Sequence, residues 1–256
     1  SAADEVDPAR RVALELLTSA SNALGMIDNV RGRLFKLEAL HIARRYGTRA
    51  ELAELLLRDA VYLAAAGEGG RRRVDARVRE ARALFPEGLP PPVAAIEQSV
   101  HAIFAFQAGV GLPACDLLSR AEDALTAALR PGDNAVGDVS IIVGHALRMQ
   151  GELPRLAAQV ERVLRIADDR ADRFLETSAK LGGHVNWLAA DAPEVSRHVV
   201  GALAWPEIEG AFHVQHWLRA EAAAKTALYE GDARGPIDRL APALPRPAFA
   251  VLRHLP

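Results

Sequence analysis

At 256 residues with 50 % hydrophobic composition, the chain is long enough to bury a continuous core. Its 31 basic and 33 acidic residues leave a formal charge of −2, which gives no net electrostatic footprint for nucleic acid or an anionic membrane. Cys115 is the only cysteine, so a disulfide framework and a thiolate metal site are both excluded.

Asp7-Pro8 opens the first predicted helix, since Asp caps free amides and Pro fits the first helical position. A second helix is expected from Asn29 to Tyr46, stopping at Gly47. Thr48 and Glu51 have the spacing of a capping box for the third, which ends in Tyr62 to Ala66. The basic stretch Arg71 to Arg82 forms the fourth, broken off by Pro86 and by Pro90, Pro91 and Pro92. Ile96, Val100, Ile103, Phe104 and Gln107 then follow the spacing of one helix face. Leu117, Leu118, Ala121, Leu125 and Ala128 do the same in a helix entered at Pro113, and Leu156, Val160, Val163, Leu164 and Ala167 in one entered at Pro154. Phe174, Ser178, Leu181, Val185 and Leu188 read as one long helix ending before Asp191-Ala-Pro-Glu194. Val214, Trp217, Leu218 and Leu228 mark the last long helix before Gly231-Asp232.

Ala supplies 50 of the 256 positions while β-branched and aromatic residues are sparse, so the chain is predicted to be all-α. Gly67, Gly109, Gly151, Asp191 and Gly231 recur at intervals of 42, 42, 40 and 40, each between two apolar helical stretches. A step of this size marks a repeat array of helical hairpins, predicted here as an α–α superhelix. The expected division is residues 1–85 as atypical or capping hairpins and 93–256 as regular repeats, within one continuous solenoid. The small residue Ser1 and the helix-like opening from Pro247 to Pro256 suggest a piece of a longer protein. Ser1 to Asp7 lacks the pattern of a signal peptide, and the uncharged run from Gln98 to Cys115 is broken by glycines and Pro113. The expectation is a cytoplasmic protein with no membrane partner.

Three segments carry a family resemblance. They are Ala60 to Ala66 with Arg71 to Val74, Asn186 to Leu188 with Asp191 to Val195, and Ala211 to Trp217 with Ala227 to Asp232. Together they resemble the tetratricopeptide-like C-terminal region that follows the kinase domain in large bacterial, myxobacterial-type serine/threonine kinases. The resemblance implies lengthened, degenerate copies of the 34-residue repeat and a regulatory or recruiting role in signalling. It implies a protein or peptide partner, either the parent kinase domain or its substrate. This chain has no Gly-rich loop, His-Arg-Asp loop or Asp-Phe-Gly of its own, so no enzyme activity is expected from it.

The motifs that could carry chemistry each have a plainer reading. Asp168, Asp169 and Asp172 have the form with which all-helical prenyl-transfer enzymes hold magnesium, but a facing acidic motif is lacking and acids at a helix junction serve as caps. His213 and His216 share a helix face and could bind zinc or copper with His184, although the acids Glu207 and Glu209 are loosely placed. Arg71, Arg72, Arg73, Arg77, Arg79 and Arg82 could form a nucleic-acid stripe, diluted by Asp75 and Glu80 and without interleaved aromatics. Cys115 at a helix start is read as a small buried hydrophobe rather than a reactive thiol. No catalytic residue, metal or cofactor is therefore assigned.

The remaining expectation is a partner-binding groove lined by His145, His184, Trp187, His213, His216 and Trp217, with core packing between hairpins the favoured role of the Trp residues. Function is then read as protein interaction within a multidomain signalling protein. The alternatives are a superhelical domain that senses a small molecule and a magnesium-dependent enzyme using Asp168, Asp169 and Asp172.

Overall fold

A computed structural model describes residues 8–25, 28–130, 133–203, 214–232, 234, 235 and 238. Every regular element among them is helical, and they divide into two compact units between Ala135 and Val136.

The first unit contains α1 (Pro8–Leu24), α2 (Asn29–Tyr46), α3 (Arg49–Ala64), a 3₁₀ turn (Gly67–Gly70), α4 (Arg71–Ala83), α5 (Pro91–Gln107) and α6 (Leu112–Ala128). The helix ends follow from local chemistry. Thr48 accepts from the Glu51 amide at 3.2 Å while Glu51 accepts from the Thr48 amide at 2.9 Å, completing the capping box that starts α3. Gly47 ends α2 and donates to the Ala43 carbonyl. Helix α1 packs on α2, α2 on α3, α3 on both α4 and α5, and α5 on α6. The proline segment therefore lies inside this unit, with α3 in contact with α5 across it. Gly32 lets α2 come close to the end of α1: an added Cβ would sit 3.1 Å from the Gly25 nitrogen, and Ser21 donates to the Gly32 carbonyl at 2.8 Å. The core is aliphatic, with Leu56, Leu57, Ile96, Leu118 and Leu125 fully buried. Each such side chain contributes about 1.5–3 kcal/mol relative to exposure.

The second unit contains α7 (Asn134–Met149), α8 (Leu153–Arg170), α9 (Arg173–Gly182), α10 (His184–Ala189), α11 (Pro193–Ala202) and α12 (Val214–Tyr229), α7 beginning just before the division. One core cluster gathers Val163, Ala167, Leu175 and Ala179, and another gathers Leu181, Val200, Leu218 and Ala222. The stretch expected as a single helix from Phe174 to Leu188 is instead two helices, α9 and α10, meeting at Gly183. Helix α8 comes close at this joint: a Cβ at Gly183 would lie 2.8 Å from Val160 Cγ2, and 3.1 Å from the Ala179 carbonyl oxygen of α9.

All five residues of the 40–42 step have left-handed backbone: φ is 53° at Gly67, 76° at Gly109, 73° at Gly151, 56° at Asp191 and 91° at Gly231. The last four close their helices identically, the following amide donating to the carbonyl five residues back. These bonds are Val110 to Ala105 at 3.1 Å, Glu152 to Leu147 at 2.9 Å, Ala192 to Trp187 at 2.9 Å and Asp232 to Ala227 at 2.8 Å. Gly67 differs, opening the 3₁₀ turn beneath the end of α5, where its Cβ would lie 2.9 Å from the Gln107 carbonyl oxygen. The periodic residues thus mark a repeated helix stop, with the first copy built differently.

Candidate functional site

Two features stand out chemically, one in each unit. The first is apolar and exposed. Helix α1 presents Val12 and Leu16 one turn apart, and α2 presents Val30, Leu34 and Leu37 at i, i+4 and i+7. Leu16 is 64 % exposed and Val30 is 74 % exposed, so these two side chains lie outside the core. On α2 the packed side consists of Gly32, Lys36, Ala39, Leu40 and Ala43, which leaves the helix apolar on two sides. An ordinary amphipathic surface helix has one such side.

The second feature is polar and buried. Arg148 closes α7 with its side chain 3 % exposed, and its Nη2 lies 3.1 Å from Glu221 Oε2 on α12. The same nitrogen donates to His145 Nδ1 at 2.7 Å, which fixes that imidazole as neutral with its proton on Nε2. Lys225 reaches Glu221 from the other side at 2.7 Å. His184 is fully buried and donates from Nδ1 to the Leu181 carbonyl at 2.7 Å. Burial lowers both imidazoles to about 4, with the Arg148 and Lys225 charges acting in the same direction. Burial works against the Glu221 charge, but Arg148 and Lys225 outweigh it and hold the carboxyl below its usual range.

The expected groove residues that are described all lie in the second unit. His145 and His184 both lie within electrostatic reach of Arg148 and Glu221, inside the second unit. Trp187 and His216 are half-buried, and Trp217 packs against the cluster of Leu181, Val200, Leu218 and Ala222. His213 lies outside the described residues, as do Glu207 and Glu209. For His184 and Trp217 the structure gives packing roles, since neither is exposed.

The other motifs are placed as follows. Asp168 and Asp169 are exposed at the end of α8, while Asp172 caps α9 by accepting from the Leu175 amide at 2.9 Å. Among the described residues, no three His, Cys, Asp or Glu side chains come together as a metal-holding group. An open depression of about 480 Å³ beside Asp168 is lined also by Arg173, Glu176 and Lys180, whose charges are partly spent on one another: Lys180 bonds Glu176 at 2.6 Å. In the basic stretch, Arg77 pairs with buried Asp59 at 2.9 Å and Arg82 pairs with Glu97. Arg71 pairs with Glu68 and lies 4.7 Å over the Phe104 ring. Cys115 is fully buried in α6. Among the described residues, no helix is long and apolar enough to cross a membrane.

Sequence reasoning missed both features. The signal for the first was Val30, Leu34 and Leu37 at helical spacing, which reads as a core face when only one side of a helix is assumed to pack. For the second there was almost none, because Arg148 and Glu221 are distant in sequence. No protein-family model, curated protein or solved structure matches the chain.

Proposed function

We propose that the chain is a non-catalytic protein-interaction module of degenerate tetratricopeptide-like hairpins, belonging to a multidomain bacterial signalling protein. Its hairpin α1–α2 docks an amphipathic helix of a protein partner. The supporting observation is the exposed set Val12, Leu16, Val30, Leu34 and Leu37. Scattered single apolar side chains are ordinary on a surface, but five on one hairpin at helical spacing mark an interaction site. Ridges of aliphatic side chains at i, i+4 and i+7 suit the apolar face of another helix. The resemblance to kinase C-terminal regions extends the proposal to the partner, which would be the parent kinase domain or its substrate. Recruitment by such a surface requires no catalytic residue in this chain.

Selection from a displayed library of amphipathic helical peptides tests the proposal. Binders to the native chain should lose affinity for a Leu16→Asp/Leu34→Asp variant that retains the native circular dichroism. Binders that ignore these substitutions would refute docking at this hairpin.

The sensor alternative calls for an enclosed organic-ligand pocket. The cavity beside Arg148 measures about 40 Å³, far below the roughly 300–1,000 Å³ of drug-sized ligand sites, and the depression of about 480 Å³ beside Asp168 is open to solvent.

A further inference from the structure

The docking hairpin is charged as well as apolar, and unevenly so. Residues 8–46 contain seven basic side chains against three acidic ones, on a chain whose formal charge is −2. Two of the basic ones turn inward: Lys36 is buried and bonds Asn22 at 2.9 Å, and Arg33 faces fully buried Asp59. At the turn between the helices the charges balance, with Arg31 lying 3.5 Å from Asp28. At the open end they do not. There Arg10 of α1 lies 5.8 Å over the Tyr46 ring, which sets the start of α1 beside the end of α2. Arg11 is answered by Glu15 at 3.0 Å and by Glu51 at 2.7 Å, and Arg44 shares Glu80 with Arg77. Arg10 and Arg45 are exposed and have no carboxylate partner among the described residues.

Local helix chemistry accounts for only one of these two charges. Arg45 sits in the last turn of α2, where the helix dipole favours a cation. Arg10 sits in the first turn of α1, where the dipole disfavours one and no acid stands. Both continue the apolar surface. On α2 the exposed Val30, Leu34 and Leu37 are followed at the same spacing by exposed His41 and then by Arg44 and Arg45. On α1, Arg10 precedes Val12 and Leu16 at the same end of the hairpin. A helix laid along the aliphatic ridge therefore runs off it onto the arginines, where carboxylates are attracted and lysines repelled. Glu38, exposed next to Leu37, opposes an acid at the middle of that helix. We propose, resting on docking at this hairpin, that the partner is an amphipathic helix with an acidic turn at one end of its apolar stripe. The acids pair with Arg10 and Arg45 while the stripe covers Val12, Leu16, Val30, Leu34 and Leu37.

The test uses the whole chain, which keeps Asp4, Glu5 and Asp7 ahead of α1. Helical peptides are selected on it from a library with randomised polar positions, and each binder is remade with its acids changed to Gln or to Lys. Dissociation constants are measured by fluorescence anisotropy for the native chain, Leu16→Asp/Leu34→Asp and Arg10→Glu/Arg45→Glu. Both arginines are exposed, so their variant should keep the native melting temperature within about 2 °C. The expected binders carry Asp or Glu in the turn at one end of the stripe and lose affinity as salt is raised. Arg10→Glu/Arg45→Glu should weaken them at least about fivefold, as should the change of their acids to Gln. The Lys versions should bind Arg10→Glu/Arg45→Glu better than the native chain, a charge swap that a merely disturbed surface does not produce. Binders that need Leu16 and Leu34 but lack acids, or that ignore Arg10→Glu/Arg45→Glu, would leave docking in place and overturn the acidic partner. Binders indifferent to the leucine change would overturn both. Capture by phosphatidylglycerol vesicles, lost in Arg10→Glu/Arg45→Glu and with no acidic helical binder found, would assign the surface to a membrane and also overturn the proposal.

Discussion

Tyr229 donates its phenol hydrogen to Asp191 Oδ1 at 2.7 Å, tying the last residue of α12 to the left-handed turn that precedes α11. Asp191 is the one non-glycine of the 40–42 step, with φ at 56°. An L residue in this region is strained, though Asp less than most. The bond to Tyr229 offsets part of that cost.

Asp191→Gly should therefore leave stability within about 0.5 kcal/mol of the native value, because relief of backbone strain and loss of an exposed hydrogen bond oppose each other. Gly151→Val should cost about 1–2 kcal/mol. An added Cβ at Gly151 has nothing within 4 Å, so the cost comes from the backbone conformation rather than from a clash at that carbon. Urea unfolding of the two variants checks the contrast, and equal losses would contradict it.

Gly183 is constrained differently, by the approach of Val160. Gly183→Ala should destabilise by about 1–3 kcal/mol through overpacking. In a Val160→Ala background the loss should shrink, giving a coupling of at least about 0.5 kcal/mol in a double-mutant cycle. Residual loss is expected from the Ala179 carbonyl, 3.1 Å from the added carbon.

These two glycines show how far the sequence could be read. Turn positions were legible because each falls where an apolar run stops, and left-handed backbone leaves a chemical trace in the choice of Gly or Asp. The ends of α2 and α3 were legible for the same reason, since Gly47, Thr48 and Glu51 act on neighbours within four residues. The need for glycine at 183 depends on Val160 from another helix, which no local pattern encodes. The site was less legible still. His145 and His184 were picked out as surface residues by their type, whereas pairing with Arg148 and burial make them part of the interior. The apolar stripe of α1 and α2 obeys the same periodicity as a core face, and only packing tells the two apart.

Acid should weaken the second unit in a defined window. Burial lowers His145 and His184 to about 4 in the folded chain, against the ordinary 6.5 of an imidazole in water. The unfolded chain therefore binds protons that the folded chain refuses between these values. Stability is retained above pH 6.5 and lost as pH falls from there towards 4. For fully buried His184 the loss is on the order of 3 kcal/mol at the lower limit, and less for partly exposed His145. His184→Asn should flatten the pH dependence of urea unfolding between pH 6.5 and 4.5. An unchanged slope would contradict the assignment.

Arg148 and Glu221 should behave as a coupled buried pair. Arg148→Met should cost about 3–5 kcal/mol, because it leaves a largely buried carboxylate supported only by Lys225. Adding Glu221→Gln should recover a substantial part of that loss, since the carboxylate charge is then gone. Additive losses in thermal unfolding would show that the two side chains do not interact.

Docking on α1 and α2 is tested most directly by the dissociation constant of a selected amphipathic helical peptide, compared between the native chain and Leu16→Asp/Leu34→Asp. Burying a leucine is worth about 1.5–3 kcal/mol, so the variant should bind at least about tenfold more weakly. Its melting temperature should stay within about 2 °C of the native value, because both leucines are exposed. Unchanged affinity, or no selectable helical binder for the native chain, would contradict the proposed function.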